Sequence, residues 1–142
     1  MAVIKKEVFN IRKDDFAAAG EASSKIKSIL KELGVGATIV RMVAIASYEA
    51  ELNMIIHSLG GEMILEVEPN GIRLICRDTG PGIQNIEDAM REGFSTAPEN
   101  IRMMGFGAGM GLPNIKRHCH DFSIKSQIGQ GTEIIVGYTF SE

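Results

Sequence analysis

Residues 62–82 read EMILEVEPNGIRLICRDTGPG, and this stretch decides the fold. Apolar residues alternate with glutamates before the turn at residues 69–71, and mainly with arginines after it. Alternation on both sides of a short turn predicts a β-hairpin, here with an Asn-Gly turn. The second strand runs directly into Asp78 and a glycine-rich turn. The stretch therefore predicts a sheet of neighbouring strands with an acidic side chain at the end of one of them.

Helical patterns surround this hairpin. Apolar residues recur every three or four positions over residues 16–33, which predicts an amphipathic helix capped by Asp14 or Asp15 and ended by Gly34. A longer, more apolar helix is predicted over residues 38–60. Weaker patterns predict a strand at 3–11, short helices at 86–91 and 112–119, and a closing hairpin at 122–140. This order favours an α+β fold, a two-layer sandwich with a mixed, mostly antiparallel sheet covered on one face by helices.

Length and charge limit the class of protein. A chain of 142 residues predicts one domain over residues 1–142. The formal net charge is −3 and no basic patch is concentrated, so we expect no nucleic-acid partner. No apolar run approaches the roughly 18 residues of a spanning helix, and charges interrupt residues 1–9. We therefore expect a cytoplasmic protein with no membrane partner.

Glycine is the one unusual component. The chain has 16 glycines among 142 residues, about 11% against an average near 7%, and seven of them lie between Gly80 and Gly111. Residues 93–111 show neither helical nor strand periodicity, which predicts a long loop. Loops of that length inside a compact domain are usually functional. The glycine excess thus indicates a place where other atoms approach bare backbone.

The second predicted helix carries a candidate catalytic pair. Glu49 and Asn53 are four residues apart and therefore share one face of that helix. A solvent-facing glutamate beside an asparagine with satisfied hydrogen bonds is the simpler interpretation of the pair alone. A carboxylate and an amide oxygen one turn apart also suit a general base and a metal ligand.

Two glycine-rich segments are candidate binding elements. Asp78, Gly80 and Gly82 form an Asp-x-Gly-x-Gly turn at the end of a strand, which by itself is also compatible with an ordinary turn. Residues 105–112 read GFGAGMGL and lead into a predicted helix, an arrangement that favours phosphate binding over a flexible linker. The segment lacks both the third glycine of a dinucleotide fingerprint and the Lys-Ser/Thr of a P-loop.

In this order, and with Gly131-Thr132 after them, these motifs resemble the N, G1, G2 and final threonine motifs of the GHKL ATPases. That superfamily includes gyrase, the heat-shock chaperone, histidine kinases and the mismatch-repair ATPase. The short chain, the Glu-x-x-x-Asn pair and the runs at 92–96 (EGFST) and 111–117 (GLPNIKR) are similar to the bacterial anti-sigma factor and stress-module switch kinases. The resemblance implies a Bergerat-type ATP-binding fold with an ATP lid at about residues 93–111.

The resemblance also implies roles for individual residues. Glu49 would be the catalytic base, Asn53 the Mg²⁺ ligand, and Asp78 the acceptor for the exocyclic amine of adenine, supported by Thr132. Arg102 of the lid would reach the γ-phosphate. The residues implied to bind ATP or its Mg²⁺ are Asn53, Asp78, Gly80, Gly82, Gly105, Gly107, Gly109, Gly111, Leu112 and Thr132.

A function follows from the resemblance. It implies an ATP- and Mg²⁺-dependent serine/threonine protein kinase that phosphorylates a STAS-domain partner, an anti-sigma-factor antagonist. A sigma factor or a phosphatase is a further expected partner, and such relatives are often homodimers. The alternative is a non-catalytic module in which ATP and ADP switch the affinity for a sigma factor or phosphatase. Residues 97–106 depart from the family's usual shorter lid, which leaves the choice of partner open.

Overall fold

The computed structural model describes residues 3–83, 86–90 and 111–140 of the chain. The strands are β1 (Lys5–Ile11), β2 (Gly61–Glu68), β3 (Gly71–Asp78), β4 (Asp121–Gln127) and β5 (Gly131–Thr139). The helices are α1 (Glu21–Glu32), α2 (Ala37–His57), α3 (Ile86–Ala89) and α4 (Gly111–Arg117), and a 3-10 turn (Phe16–Ala18) precedes α1. The elements follow one another in the predicted order.

The five strands form one sheet in the order β1-β2-β3-β5-β4. The sequence predicts a mixed, mostly antiparallel sheet, and every pairing between these strands is antiparallel. The β2–β3 hairpin is confirmed, but its turn consists of Pro69 and Asn70, so the predicted Asn-Gly turn is wrong by one residue. The proline ring forbids the positive φ that the favoured Asn-Gly turn type needs at both central residues. Gly71 instead begins β3, opposite Glu68.

The core lies between one face of the sheet and the helices. Because side chains alternate along a strand, every second residue of β2, β3 and β5 faces this layer. Met63, Leu65 and Leu74 are 0% exposed there. The apolar sides of α1 and α2 cover them, with Ile26, Leu30, Val43, Ala46, Met54 and Ile55 among the buried residues. The predicted two-layer α+β sandwich is confirmed.

Helix α2 is the central helix of the layer, because both α1 and α4 pack against it. It starts at Ala37 and ends at His57, three residues before the predicted end. The hydroxyl of Ser58 donates to the carbonyl of Met54 at 2.6 Å and accepts from the N–H of Gly60 at 2.9 Å, which closes the last turn. Within the described ranges, no helix is long and apolar enough to cross a membrane.

Helix α1 begins later than predicted. It starts at Glu21, with Gly20 in the left-handed conformation (φ 96°) at its N-cap position, so the predicted cap by Asp14 or Asp15 is wrong. Only glycine adopts this conformation at little cost, and it separates the 3-10 turn from the helix. The predicted end is confirmed, since Gly34 is left-handed (φ 77°) just beyond the last turn.

The N-terminus of α1 is capped by a side chain from α2. The carboxylate of Glu51 accepts hydrogen bonds from the backbone N–H groups of Gly20, Ala22 and Ser23 at 3.1, 3.3 and 3.2 Å. The first N–H groups of a helix lack partners within it and carry partial positive charge, so a carboxylate is favourable there. Glu51 is 2% exposed and was not singled out by the sequence pattern. The Glu51 carboxylate therefore connects the N-terminus of α1 to α2.

Candidate functional site

Asp78 is the last residue of β3 and lies beside the first residues of β5. Its Oδ1 accepts a hydrogen bond from the backbone N–H of Thr132 at 3.0 Å. Partial burial raises the pKa of Asp78, and the bond from Thr132 offsets part of that rise. The structure thus brings together the two residues that the motif comparison assigns to adenine.

The turn after Asp78 requires its two glycines. Gly80 (φ 154°) and Gly82 (φ 77°) both have positive φ angles. A Cβ on Gly80 would come within 3.2 Å of the Ser58 backbone, and one on Gly82 within 2.6 Å of the Gln127 carbonyl oxygen. These contacts place the turn between the end of α2 and the end of β4.

Ser126 of β4 holds this turn against β5. Its hydroxyl oxygen accepts from the N–H of Ile83 at 2.6 Å and lies 3.1 Å from the carbonyl oxygen of Gly131 and 3.0 Å from the hydroxyl of Thr132. Ser126 was not predicted from the sequence, because its hydrogen-bond partners are Ile83, 43 residues earlier in the chain, and residues 131 and 132 of the next strand. Its hydroxyl fixes the orientation of the Thr132 side chain beside Asp78.

An open cavity of about 290 Å³ lies beside these residues. Asp78, Ser126 and Thr132 line it, together with charged side chains of the neighbouring strands, Arg77, Lys125 and Glu133. This volume is close to the lower end of the range for small-molecule sites, about 300–1,000 Å³. Asp78 and Thr132 therefore lie at an opening that a small ligand can reach.

Glu49 and Asn53 lie on the side of α2 that faces α4. Asn114, on α4, lies near the Glu49 carboxylate. Burial of this carboxylate raises the pKa of Glu49, while Asn114 and the nearby charge of His118 lower it by less. A raised pKa moves a carboxylate closer to the proton affinity that a general base uses at neutral pH.

Asn53 contacts the beginning of α4. A Cβ on Gly111 would lie 2.9 Å from Oδ1 and 3.2 Å from Nδ2 of Asn53, so a side chain at this position would displace the amide. The motif glycine that begins α4 is therefore next to the predicted metal ligand, although 58 residues of chain separate them.

The donor atoms fit the groups that the motifs imply. Amide oxygens are among the ligands that Mg²⁺ accepts, and Asn53 presents one, with the Glu49 carboxylate of the predicted base a helical turn away. Asp78 supplies a hydrogen-bond acceptor at the edge of a cavity, which an exocyclic amine can use.

Some predicted site residues are not tested by this geometry. Gly105, Gly107 and Gly109, with Arg102 and the lid up to residue 110, lie outside the described residues. Leu112 is described, and its side chain is 8% exposed and packs in the core. Any contact of Leu112 with a ligand therefore involves its backbone.

An α+β sandwich with an acid and an amide on the central helix, and an Asp-x-Gly-x-Gly turn at a strand end, defines an ATP-binding domain of the GHKL class. The family described as histidine kinase-, DNA gyrase B- and HSP90-like ATPase matches residues 46–141. This match covers more than half of the chain and includes Glu49, Asn53, Asp78 and Thr132. The chain belongs to this family, which confirms the resemblance seen in its motifs.

Named relatives are similar over much of the chain. The serine/threonine-protein kinase RsbT of Bacillus subtilis (strain 168) is 34% identical over 112 residues, which are 76% of this chain and 78% of RsbT. The anti-sigma F factor of Clostridium acetobutylicum is 29% identical over 121 residues, 82% of this chain and 81% of that protein. The anti-sigma F factor of Bacillus licheniformis is 37% identical over 92 residues, 61% of this chain and 60% of that protein.

Proposed function

We propose that this protein is an ATP- and Mg²⁺-dependent serine/threonine protein kinase that phosphorylates a STAS-domain partner, an anti-sigma-factor antagonist. One observation carries the proposal. Glu49 and Asn53 lie together against α4, in a chain that is similar over most of its length to a named serine/threonine-protein kinase. Phosphoryl transfer depends on such a grouping of base and metal ligand, because most of its catalysis comes from positioning and charge neutralisation.

The end of β3 is the proposed adenine site. The Asp78 carboxylate accepts a hydrogen bond from the exocyclic amine, and the Thr132 side chain, oriented by Ser126, supports this contact. Guanine presents a carbonyl oxygen at that position, which a carboxylate repels. The proposed site therefore selects adenine over guanine. Gly80 and Gly82 keep the turn beside it free of side chains.

The face between α2 and α4 is the proposed phosphate site. The amide oxygen of Asn53 would hold Mg²⁺, and the backbone of Gly111 and Leu112, with Gly105, Gly107 and Gly109 of the preceding lid, would contact the phosphates. The metal would supply charge neutralisation at the phosphate groups. We further propose that residues 1–142 act as one domain in the cytoplasm.

Glu49 is the proposed catalytic base. Its carboxylate takes the proton of the partner's serine or threonine hydroxyl as that oxygen bonds to the γ-phosphorus. The bond between this phosphorus and the bridging oxygen of ADP breaks, and ADP leaves with the electron pair. Burial raises the pKa of Glu49, so its carboxylate takes up a proton at a higher pH than an exposed glutamate does. As the pH is lowered, we therefore expect the transfer rate to begin falling at a higher pH than it would with an exposed glutamate as the base.

The test measures ATP binding and transfer separately. Calorimetry gives ATP affinity with and without Mg²⁺, and radiolabelled ATP reports transfer to STAS-domain proteins of the same genome. We expect Glu49→Gln to keep ATP affinity within about threefold and to reduce transfer by about 10²–10⁴-fold, the usual contribution of a general base. Asn53→Ala is expected to lose the Mg²⁺-dependent part of ATP affinity as well.

The matched control is Glu32→Gln, the same chemical change at an exposed position near the end of α1. It should leave both binding and transfer unchanged. A wild-type protein without Mg²⁺-dependent ATP affinity would contradict the whole proposal. A protein that binds ATP but labels no STAS-domain protein would instead support the nucleotide-switched binding module.

A further inference from the structure

We propose that Ser126 is a specificity-determining residue of the proposed adenine site. Its hydroxyl directs the Thr132 hydroxyl so that the Thr132 oxygen, like the Asp78 carboxylate, faces the nucleobase as a hydrogen-bond acceptor. The inference rests on the proposed function, because it concerns the recognition of ATP. Ser126 acts through Thr132 and is therefore a positioning residue.

Three polar groups surround the Ser126 hydroxyl. The backbone N–H of Ile83 donates to its oxygen at 2.6 Å. The carbonyl oxygen of Gly131 lies 3.1 Å from this oxygen, and the hydroxyl of Thr132 lies 3.0 Å from it. A hydroxyl has one proton to donate and two lone pairs that accept. The three contacts therefore use the full hydrogen-bonding capacity of Ser126.

The partners decide which group donates in each contact. A backbone N–H only donates, so Ser126 accepts from Ile83. A carbonyl only accepts, so the Ser126 proton goes to Gly131. The third contact then needs its proton from Thr132, whose hydroxyl donates to the Ser126 oxygen. This is the one arrangement that supplies a donor to all three contacts.

Both donors of Thr132 are therefore used inside the protein. Its backbone N–H donates to Oδ1 of Asp78 at 3.0 Å, and its hydroxyl donates to Ser126. Thr132 and Asp78 both line the cavity at the end of the sheet. Toward a ligand in this cavity, Thr132 presents the lone pairs of Oγ1. The two residues together form a pair of neighbouring acceptors.

The backbone around this pair leaves little other freedom. Thr132 lies opposite Ser126 in the register of β4 and β5. Gly131 has a φ of 140°, and a Cβ on it would collide with the carbonyl oxygen of Asp78. The start of β5 is therefore packed directly against the end of β3. Rotation of the Thr132 hydroxyl remains as the freedom that decides between donor and acceptor, and Ser126 removes it.

A pair of acceptors distinguishes purines by the group at their 6-position. Adenine carries an amine there, which donates, whereas guanine and hypoxanthine carry a carbonyl oxygen, which only accepts. A Thr132 hydroxyl that was free to rotate would turn its proton toward that carbonyl and bind it. Because Ser126 holds the proton, the carbonyl meets lone pairs at both residues. Sites that bond a substrate N–H reject the analogue that lacks it.

The experiment measures affinities for ATP and for inosine triphosphate (ITP) by calorimetry in the presence of Mg²⁺. ITP has the ribose and phosphates of ATP and the carbonyl of hypoxanthine at the 6-position. We expect Ser126→Ala to lower the ratio of ATP affinity to ITP affinity by about threefold to tenfold, the usual effect of one hydrogen bond. If Ser126 only supported the turn at Ile83, both affinities would fall by the same factor and the ratio would stay constant.

Thr132→Val tests the direction of the hydroxyl by the sign of its effect. Valine has nearly the shape of threonine and neither donates nor accepts. Loss of an acceptor lowers the ratio of ATP affinity to ITP affinity, whereas loss of a donor raises it. We expect the ratio to fall. In the Thr132→Val background, Ser126→Ala should not lower it further, because the two residues act as one unit.

Two further variants are controls. Ser126→Thr keeps the hydroxyl and should keep the ratio close to that of the wild type. Ser123→Ala makes the same chemical change as Ser126→Ala at an exposed position of β4 and should alter neither affinity. Thermal unfolding shows whether each variant is folded, and the sign of the Thr132→Val effect decides the question if Ser126→Ala does not fold.

The outcomes separate this inference from the proposed function. A wild type that prefers ATP to ITP, together with an unchanged ratio in Ser126→Ala or a raised ratio in Thr132→Val, would overturn the role of Ser126 and leave the kinase proposal intact. A wild type that binds ATP but labels no STAS-domain protein would overturn the kinase proposal alone. A wild type that binds no ATP would overturn both.

Discussion

Two glutamates two residues apart on α2 have opposite surroundings. Glu51 faces α1, is 2% exposed and accepts three backbone hydrogen bonds. Glu49 faces α4 and is half-buried, and its nearest polar neighbours include Asn114 and His118 of the segment that begins with α4. The same residue type therefore stabilises the fold on one side of the helix and forms the candidate catalytic group on the other.

The two glutamates show how hydrogen-bond donors compensate for the burial of a carboxylate charge. Taking a charge out of water is costly unless donors replace the lost hydration. Three N–H groups at a helix N-terminus compensate Glu51, so it belongs to the structure of the protein. Glu49 has less compensation, burial raises its pKa, and its carboxylate retains the capacity to accept a proton. Groups with perturbed pKa values are typical of functional sites.

The largest effect on stability is expected for Glu51→Ala. The substitution leaves the N–H groups of Gly20, Ala22 and Ser23 without their acceptor in a buried position. Lost hydrogen bonds to a charged group and unsatisfied donors together should reduce the free energy of unfolding by about 3–5 kcal/mol. Urea denaturation measures this, with the exposed Glu32→Ala as the control. A loss below about 1 kcal/mol would show that Glu51 does not differ from a surface glutamate.

An intermediate effect is expected for Gly111→Ala, on the Glu49 side of α2. The added methyl group must displace the Asn53 amide, which lies 2.9 Å from the ideal Cβ position. We expect Mg²⁺-dependent ATP affinity to fall about tenfold, or about 1.4 kcal/mol. Gly36→Ala is the matched control, because a Cβ there meets nothing within 4 Å and its φ is −58°. Equal ATP affinity in both variants would contradict the contact.

The smallest effect is expected for Ser23→Ala, in the Glu51 network. The Ser23 hydroxyl donates to the Gly20 carbonyl at 3.2 Å, while the Ser23 backbone N–H, which bonds to Glu51, is kept in alanine. Loss of one such bond should cost about 0.5–1.5 kcal/mol in urea denaturation. A loss as large as that of Glu51→Ala would show that the Ser23 hydroxyl, rather than the Glu51 carboxylate, provides most of the stabilisation.

Most of the fold could be predicted, because strand alternation and helical periodicity are local. The order of elements, the β2–β3 hairpin and the end of α1 at Gly34 follow from patterns within a few residues. One error, the turn of the β2–β3 hairpin, is local, because Pro69 occupies that turn. Another lies where a distant group acts. The start of α1 could not be predicted, since its cap comes from Glu51, 31 residues beyond Gly20 in the chain.

The candidate site divides in the same way. Its motif residues Glu49, Asn53, Asp78 and Thr132 could be named from their order and spacing, and the structure pairs Asp78 with Thr132. Ser126 could not be named. A serine in a strand is common, and only its contacts give it a role.

The sequence by itself determined the α+β class, the ATPase motifs and the side of α2 on which Glu49 and Asn53 lie together. These properties depend on the 3.6-residue and two-residue repeats of the backbone and on glycine spacing. The tertiary structure alone decided which glutamate accepts hydrogen bonds from the N-terminus of α1 and which faces α4. The physical reason is that solvation and hydrogen-bond partners come from segments tens of residues away, which only packing brings into contact.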